Sequence, residues 1–202
     1  LYKHLRNRGK RYRKRGKSKD SRGIIANRVD IDHRPTVVDH KSRIGDLEID
    51  LIIGKGHKHA LLTINDRLTG MLFMDKVPSK QADHIERKTV EIMEDYKPFI
   101  HTITSDNGKE FANHEGIAEQ LVIDFYFAKP YHSWERGANE NLNGLVRQYF
   151  PKNHDFTSIT DKQIQHVINK LNNRPRKRLG YKTPNEFFAQ KLNESTSVAF
   201  IT

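Results

Sequence analysis

The sequence contains no cysteine and no long apolar run, and each absence excludes a class of protein. Without cysteine among its 202 residues, the chain forms no disulfide and no thiolate zinc site. Any metal must therefore bind carboxylates, histidines or carbonyls. No stretch of 18 apolar residues is present, and no signal-peptide segment, so we expect a cytoplasmic protein without a membrane span.

The net charge of +11 is concentrated at the start of the chain. Residues 1–19 hold ten of the 36 Lys and Arg residues and no acid, which leaves 26 basic against 25 acidic residues elsewhere. Like charges within such an arm repel each other, so it is unlikely to pack. Its natural partner is the phosphate of a nucleic acid. The alternative interpretation is a solubilising tail. The chain begins at Leu1 and its first methionine is Met71, so we expect further sequence upstream.

The hydrophobic pattern predicts an α/β fold. Five segments have the short apolar or alternating pattern of strands: 46–54, 59–66, 70–78, 99–106 and 122–128. Four have apolar residues at helical spacing: 79–97, 114–121, 136–150 and 160–173. Short connections favour an antiparallel arrangement of the first three strands. Helices and strands then alternate along the chain, and this order predicts a mixed five-stranded sheet flanked by helices. We expect Ser79 to cap the first helix and Pro98 to stop it.

The composition also divides the chain into regions. A basic arm is expected to be disordered or bound to DNA, a linker follows it, and a core and a tail complete the chain. The expected bounds are 1–21 for the arm, 22–44 for the linker, 45–190 for the core and 191–202 for the tail.

Two acidic residues lie where strands do not usually carry charge. Asp50 is inside the first strand, on the same face as Glu48 and Ile52, where burying an unpaired carboxylate costs several kcal/mol. Asp106 follows the fourth strand, at the end where ligands gather in open α/β sheets. Each has an ordinary alternative, because Asp50 can face solvent and Asp106 can form an Asx turn before Asn107 and Gly108.

Glu140 supplies a third carboxylate, near the start of the helix predicted at 136–150. Arg136, Asn143 and Arg147 share its helical face, where cations suit a passing phosphate backbone; an exposed surface glutamate is the alternative. Two strand acids and a helix acid could hold two Mg²⁺ ions through oxygen alone. Such a pair, ~3.5–4 Å apart, serves in-line displacement at phosphorus.

Three blocks of this sequence resemble the catalytic core of DDE transposases and retroviral-type integrases: "GDLEIDLIIG", "TSDNGKEFA" and "YFAKPYHSWERGANENLNGLVRQYFPK". The last block and the closing "LNNRPRKRLGYKTPNEFF" resemble the IS-thirty family of bacterial insertion-sequence transposases in particular. The 33 residues between Asp106 and Glu140 match that family's spacing of second and third acids. One departure is Leu47-Glu48-Ile49-Asp50, where the family commonly shows Trp-Glu-Gly-Asp.

The resemblance implies an RNase H-like fold with Asp50, Asp106 and Glu140 as catalytic residues and metal ligands. The implied cofactors are two Mg²⁺ or Mn²⁺ ions. The implied reaction is cleavage of phosphodiesters at the ends of a mobile element, followed by attack of the 3′-hydroxyl on target DNA. Double-stranded DNA is the implied partner, with a homo-oligomer assembled on it in the bacterial cytoplasm, at the nucleoid when bound.

We predict DNA contacts for residues beside the acids and for the basic cluster after the last helix. They are Asn107, Lys109, His132, Trp134, Arg136, Asn143, Arg147, Arg174, Arg176, Lys177 and Arg178. Ordinary alternatives remain for Trp134, which can pack over the core, for His132 as a surface residue, and for the cluster as a solvated helix end. Two rival functions also remain, an RNase H-like nuclease and a nucleic-acid-binding module whose acids are structural.

Overall fold

A computed structural model describes residues 25–130, 132 and 137–199 of the chain. Within them lies one mixed sheet of five strands in the order β3-β2-β1-β4-β5. The first three strands are antiparallel neighbours, and β4 and β5 run parallel to β1. The strands are β1 (Asp46–Ile53), β2 (Ala60–Asp66), β3 (Leu72–Val77), β4 (Thr102–Ser105) and β5 (Asp124–Phe127). The predicted mixed five-stranded sheet is confirmed.

Helices cover both faces of the sheet. They are α1 (Thr36–His40), α2 (Ala82–Met93), α3 (His114–Leu121), α4 (Gly137–Tyr149), α5 (Asp161–Asn172) and α6 (Pro184–Ala199). Short 3-10 turns lie at Ile31–His33, Lys55–His57, Glu94–Phe99, Lys109–Phe111 and Lys177–Leu179. No helix in the described part of the chain is both long and apolar enough to cross a membrane.

The alternation of β1 divides the core into two layers. Leu47 and Ile49 point to one face and pack with α2 and α3, whereas Ile52 points to the other and packs with α4 and α5. Successive side chains of a strand point to opposite faces, so the pattern also fixes where Glu48 and Asp50 point. Both face the layer of α4, on the side of Ile52 that the sequence predicts for them.

The first long helix starts later than predicted. Ser79 precedes α2, and its hydroxyl accepts a hydrogen bond from the Gln81 N–H (3.2 Å) and lies 2.7 Å from Nδ1 of His84. The α-helix ends at Met93 and continues as the Glu94–Phe99 turn, with Pro98 inside it. A tighter 3-10 turn thus takes over before proline, which has no N–H to continue an α-helix.

Helical structure lies in two segments that were expected to lie outside the core. Residues 25–44, predicted as a linker, bury Ile25, Val38 and Ile44 and make a bridge from Asp30 to Phe127 on β5. At the other end of the chain, α6 continues into the region predicted as a tail. The basic arm lies outside the described residues.

Candidate active site on the polar face of the sheet

The register of the parallel strands relates the positions of the two strand acids. On β1 and β4, Glu48 pairs with Thr104, the last pair of the ladder. Asp50 and Asp106 each lie two residues beyond this pair, Asp50 inside β1 and Asp106 just past the end of β4. Both side chains are half-buried, and Asp50 belongs to the face on which α4 packs. The two predicted strand acids thus follow paired positions on neighbouring strands.

An amide on α4 fixes the carboxylate of Asp50. Asn143 Nδ2 donates to Asp50 Oδ2 at 3.0 Å, and Asn143 Oδ1 accepts from the Thr63 hydroxyl at 2.9 Å. The N–H of Leu51 donates to Asp50 Oδ1 at 2.8 Å. Asn143, which we predicted to contact DNA, thus connects α4 to β1 and β2 through the candidate site.

The turn after β4 has the geometry of an Asx turn around Asp106. The N–H of Gly108 donates to Asp106 Oδ1 at 2.9 Å. The next side chain, Asn107, donates to the carbonyl of Ala128 and accepts from Arg28, so it joins the ends of β4 and β5. Lys109 is exposed at the start of the following turn. The Asx alternative and the strand-end position of Asp106 are therefore both present.

The third acid enters from α4. Glu140 is exposed in the first turns of the helix. Its neighbour Asn139 is buried, and the Asn139 N–H donates to Glu48 Oε2 at 2.9 Å, which ties the start of α4 to β1. Among the described residues, no three acidic or histidine side chains are grouped so that they could hold a metal ion.

A buried ion pair lies beside the candidate site and was not predicted. Glu48 is 1% exposed, and its Oε1 accepts from Arg67 Nη1 at 2.6 Å. Burial lowers the pKa of Arg67, while the adjacent Glu48 carboxylate opposes that shift. Arg67 Nε also donates to the Val38 carbonyl at 3.2 Å. The available signal was a second acid, two residues before Asp50 in the same buried strand.

The same polar layer reaches into the segment predicted as a linker. Arg34 is buried, and its Nη1 donates to the Thr104 hydroxyl at 2.9 Å. Its Nη2 pairs with Asp39, which also lies 3.6 Å from Nη2 of Arg67. Residues 25–44 are thereby connected to β4 and to the ion pair under α4.

Other predicted DNA contacts near the acids have different environments. Arg147 donates to the carbonyl of Ile53 at 2.9 Å and lies 5.9 Å from the ring centre of Phe156, and burial lowers its pKa. The guanidinium of Arg147 therefore holds the last turns of α4 to the end of β1. His132 is half-buried. Trp134 and Arg136 lie outside the described residues.

The basic cluster lies at the end of the sheet where β1 begins and β2 turns into β3. Arg178 Nη1 donates to the carbonyl of Leu68, in the β2–β3 hairpin, at 2.6 Å. Arg176 Nη2 donates to the carbonyl of Leu171 at 3.1 Å. Arg174 and Lys177 are exposed. The cluster is thus a surface apart from the three acids.

Comparison with known proteins gives the chain its relatives. It is 60% identical over 200 residues to the transposase for insertion sequence element IS4351 of Bacteroides fragilis, covering 99% of this chain and 61% of that protein. It is 33% identical over 179 residues to the transposase InsI for insertion sequence element IS30A of Escherichia coli strain K12, covering 87% of this chain and 46% of that protein. The chain thus spans about half to three-fifths of the length of these relatives. No family model matches it.

The fold has a counterpart among solved structures. The catalytic core domain of BIV integrase superposes with a TM-score of 0.60 at 17% identity, over 75% of this chain and 98% of that one. At this identity the likeness concerns the fold alone, which is that of an integrase catalytic core. Together with the sequence matches, it makes this chain a relative of the insertion-sequence transposases, those of the IS30 elements among them.

Proposed function

We propose that this chain supplies the catalytic region of a DNA transposase, which cleaves phosphodiesters at the ends of its element and joins the 3′-hydroxyl ends to target DNA. The observation that supports this most is the parallel pairing of β1 with β4, in which Asp50 and Asp106 each follow the paired residues Glu48 and Thr104 by two positions. Phosphoryl transfer benefits from carboxylates at a fixed spacing, because they hold the cations that stabilise charge at phosphorus. The relationship to insertion-sequence transposases supports DNA as the substrate.

We further propose Asp50, Asp106 and Glu140 as the ligands of two Mg²⁺ or Mn²⁺ ions. The donor chemistry fits, since carboxylate oxygens suit hard divalent cations. Neutral N–H donors also fix oxygens of both strand carboxylates, which orients them before any ligand arrives. Bound ions would supply charge stabilisation for the attacking and leaving oxygens. In this proposal the protein contributes the geometry: β1 and β4 carry the two strand acids, and α4 carries Glu140 as the third ligand.

The partners belong to the same proposal. Duplex DNA of the element ends and of the target is the substrate, and two ends cut together call for more than one copy of the chain. The predicted contacts Lys109 and His132 follow the carboxyl ends of β4 and β5 in the chain, so they are candidates for phosphate contacts at the cleavage site. The cytoplasmic, nucleoid-associated location stays a prediction.

The test is Asp106→Asn in the full-length protein, on a plasmid that carries the terminal repeats of the element. We expect Mg²⁺-dependent nicking to fall by at least about 100-fold, because the substitution removes the charge that a cation requires. DNA binding measured in EDTA should stay within about twofold of wild type. The matched control is Asp95→Asn, an exposed acid in the Glu94–Phe99 turn at the other end of the sheet, which should nick normally.

Each result separates the candidate functions. Equal nicking by wild type and Asp106→Asn would show that the acids are structural, as in a binding module. Strand-transfer products from DNA ends with a free 3′-hydroxyl favour a transposase. Cleavage confined to RNA–DNA hybrids would instead indicate a nuclease of RNase H type.

A further inference from the structure

A loop at residues 174–182, here called the basic loop, presents an aromatic ring beside a set of cations. Tyr181 is 71% exposed, although tyrosine usually buries much of its ring. The exposed or half-buried cations of the loop are Arg174, Arg176, Lys177, Arg178 and Lys182. An exposed ring among cations is the composition of surfaces that bind single-stranded nucleic acid.

Backbone hydrogen bonds close the basic loop on itself. Arg176 N–H donates to the Lys182 carbonyl at 3.0 Å, and Tyr181 N–H donates to the Arg176 carbonyl at 3.0 Å. Within the loop, Leu179 is buried and anchors it to the core. The ring of Tyr181 is therefore held out by an ordered backbone, which lowers the entropy cost of binding a ligand.

The backbone of Tyr181 has a left-handed conformation that is unusual for a bulky residue. Its φ is +67°, and that of the preceding Gly180 is +63°. Glycine adopts this region without penalty, whereas a side chain with a Cβ does so at a cost. Residues in such conformations collect at functional sites, where the fold fixes them in place.

The salt bridges of the described part of the chain all lie outside the basic loop, although the carboxylate of Asp66 opposes the lowering of the Arg178 pKa by burial. Burial lowers the pKa of Arg176, and the positive charges of Arg174 and Arg178 lower it further. Hydrogen bonds to the carbonyls of Leu171 and Leu68 nevertheless hold Arg176 and Arg178 in place. Crowded cations of this kind gain free energy when a polyanion approaches.

The basic loop contacts the sheet at the end where β1 begins, whereas the carboxylates lie further along the strands. The hairpin that contacts Arg178 follows Asp66, which pairs with Leu47 at the start of β1. Asp50 pairs instead with Thr63, three residues further along the strand. A ligand on the basic loop is therefore bound at a second surface.

We propose that the basic loop is a second DNA-binding surface, in which the cations hold phosphates and the Tyr181 ring stacks on an unpaired base. Bases inside a duplex are already stacked on each other, so an exposed ring favours a single-stranded end or a distorted segment. This inference rests on the proposed function, because cleavage and joining of element ends create such strands.

The test measures binding in EDTA, where no metal-dependent chemistry occurs, with a blunt duplex and with the same duplex carrying a single-stranded end. Tyr181→Ala should weaken binding to the single-stranded end by about tenfold, the loss of one stacked base, and leave blunt-duplex binding unchanged. Tyr181→Phe should bind both as wild type does, because it keeps the ring. Tyr149→Ala, an exposed tyrosine on α4 outside the loop, is the matched control.

The cations are tested in the same assay. Lys177→Ala should weaken binding to both DNAs alike and reduce the slope of log K against log salt by about 1. The control is Lys80→Ala, an exposed lysine beyond the far end of β3, which should leave the slope unchanged. Thermal unfolding of each variant should match wild type, since the altered side chains are exposed.

Two results would overturn the inference without touching the proposed function. Equal effects of Tyr181→Ala on both DNAs, or none, would exclude stacking on an unpaired base. An unchanged salt slope in Lys177→Ala would exclude phosphate contact by the loop. Failure of the transposase proposal would show itself separately, as nicking that survives Asp106→Asn, while the binding results would stand.

Discussion

Glu48 and Asp50 lie two residues apart on the same face of β1, yet their surroundings are opposite. Glu48 is 1% exposed and is held by the charged Arg67 and by the first turns of α4. Asp50 is half-buried, and the neutral amide of Asn143 donates to it. The comparison teaches that an acid inside a strand does not by itself indicate a catalytic role. The charge of its hydrogen-bond partner and its exposure to solvent distinguish a structural acid from a candidate catalytic one.

The two carboxylates therefore contribute to different properties. A buried ion pair costs desolvation energy on both sides, and removing one partner leaves an uncompensated charge in a low dielectric. Glu48 and Arg67 should thus matter to folding, because they join β1, α4 and residues 25–44. Asp50, with solvent access, should matter to chemistry and little to folding.

The largest effect is expected when the buried pair is broken. Arg67→Met leaves the Glu48 carboxylate buried without its cation, so the free energy of unfolding should fall by about 3–5 kcal/mol. Urea unfolding followed by circular dichroism measures it. The matched control is Lys88→Met, which breaks a less buried ion pair with Asp75 (3.0 Å) and should cost about 1 kcal/mol or less.

A double variant sharpens this result. Glu48→Gln with Arg67→Met removes both charges and keeps an acceptor for the Asn139 N–H. Most of the stability lost in Arg67→Met should return, because no charge is then left buried alone. If the double variant is no more stable than the single one, the loss comes from packing of the arginine and not from charge.

A smaller free-energy effect, of another kind, is expected at Asp50. Asp50→Asn should reduce Mg²⁺-dependent nicking by at least about 100-fold, which corresponds to about 2.7 kcal/mol in the activation barrier. Its free energy of unfolding should change by less than about 1 kcal/mol, since the side chain is half-buried. The contrast with Glu48 fails if Asp50→Asn unfolds as readily as Arg67→Met.

Regular patterns in the sequence predicted the sheet and the faces of its strands. The two-residue period of β1 assigns Glu48 and Asp50 to one face, since a slip of one residue would bury the wrong set. The pairing of β1 with β4 joins two strands that lie far apart in sequence, so no local pattern reports its register. The ion pair of Glu48 with Arg67 was missed although β1 and β2 were predicted as neighbours, because the predicted order of strands does not give the register that decides which side chains meet.

Irregular segments were predicted poorly, for two different reasons. Residues 25–44 show no periodicity, because single side chains such as Val38 and Arg34 are buried one at a time.

The helix α6, by contrast, did carry a sequence signal, in Thr183-Pro184-Asn185-Glu186. The Glu186 N–H donates to the Thr183 hydroxyl at 3.1 Å, and the Thr183 N–H donates to the Glu186 carboxylate at 2.8 Å. That is a capping box with proline in the first turn.

The smallest effect should come from the amide that orients Asp50. Asn143→Ala removes the donor to Asp50 Oδ2 and the acceptor of the Thr63 hydroxyl, so the free energy of unfolding should fall by about 1 kcal/mol. Nicking should fall more than stability does, by about tenfold, because the carboxylate loses its fixed orientation while its charge remains. The same urea and nicking assays measure both quantities.

The control for Asn143 is Gln148→Ala, an exposed amide later on α4, which should alter neither stability nor nicking. If Asn143→Ala lowers stability but leaves nicking intact, the amide serves the stability of the fold alone, as Glu48 does, and Asp50 needs no orienting partner. If nicking falls with little loss of stability, Asn143 is the group on α4 that holds Asp50 in position for the chemistry of this face.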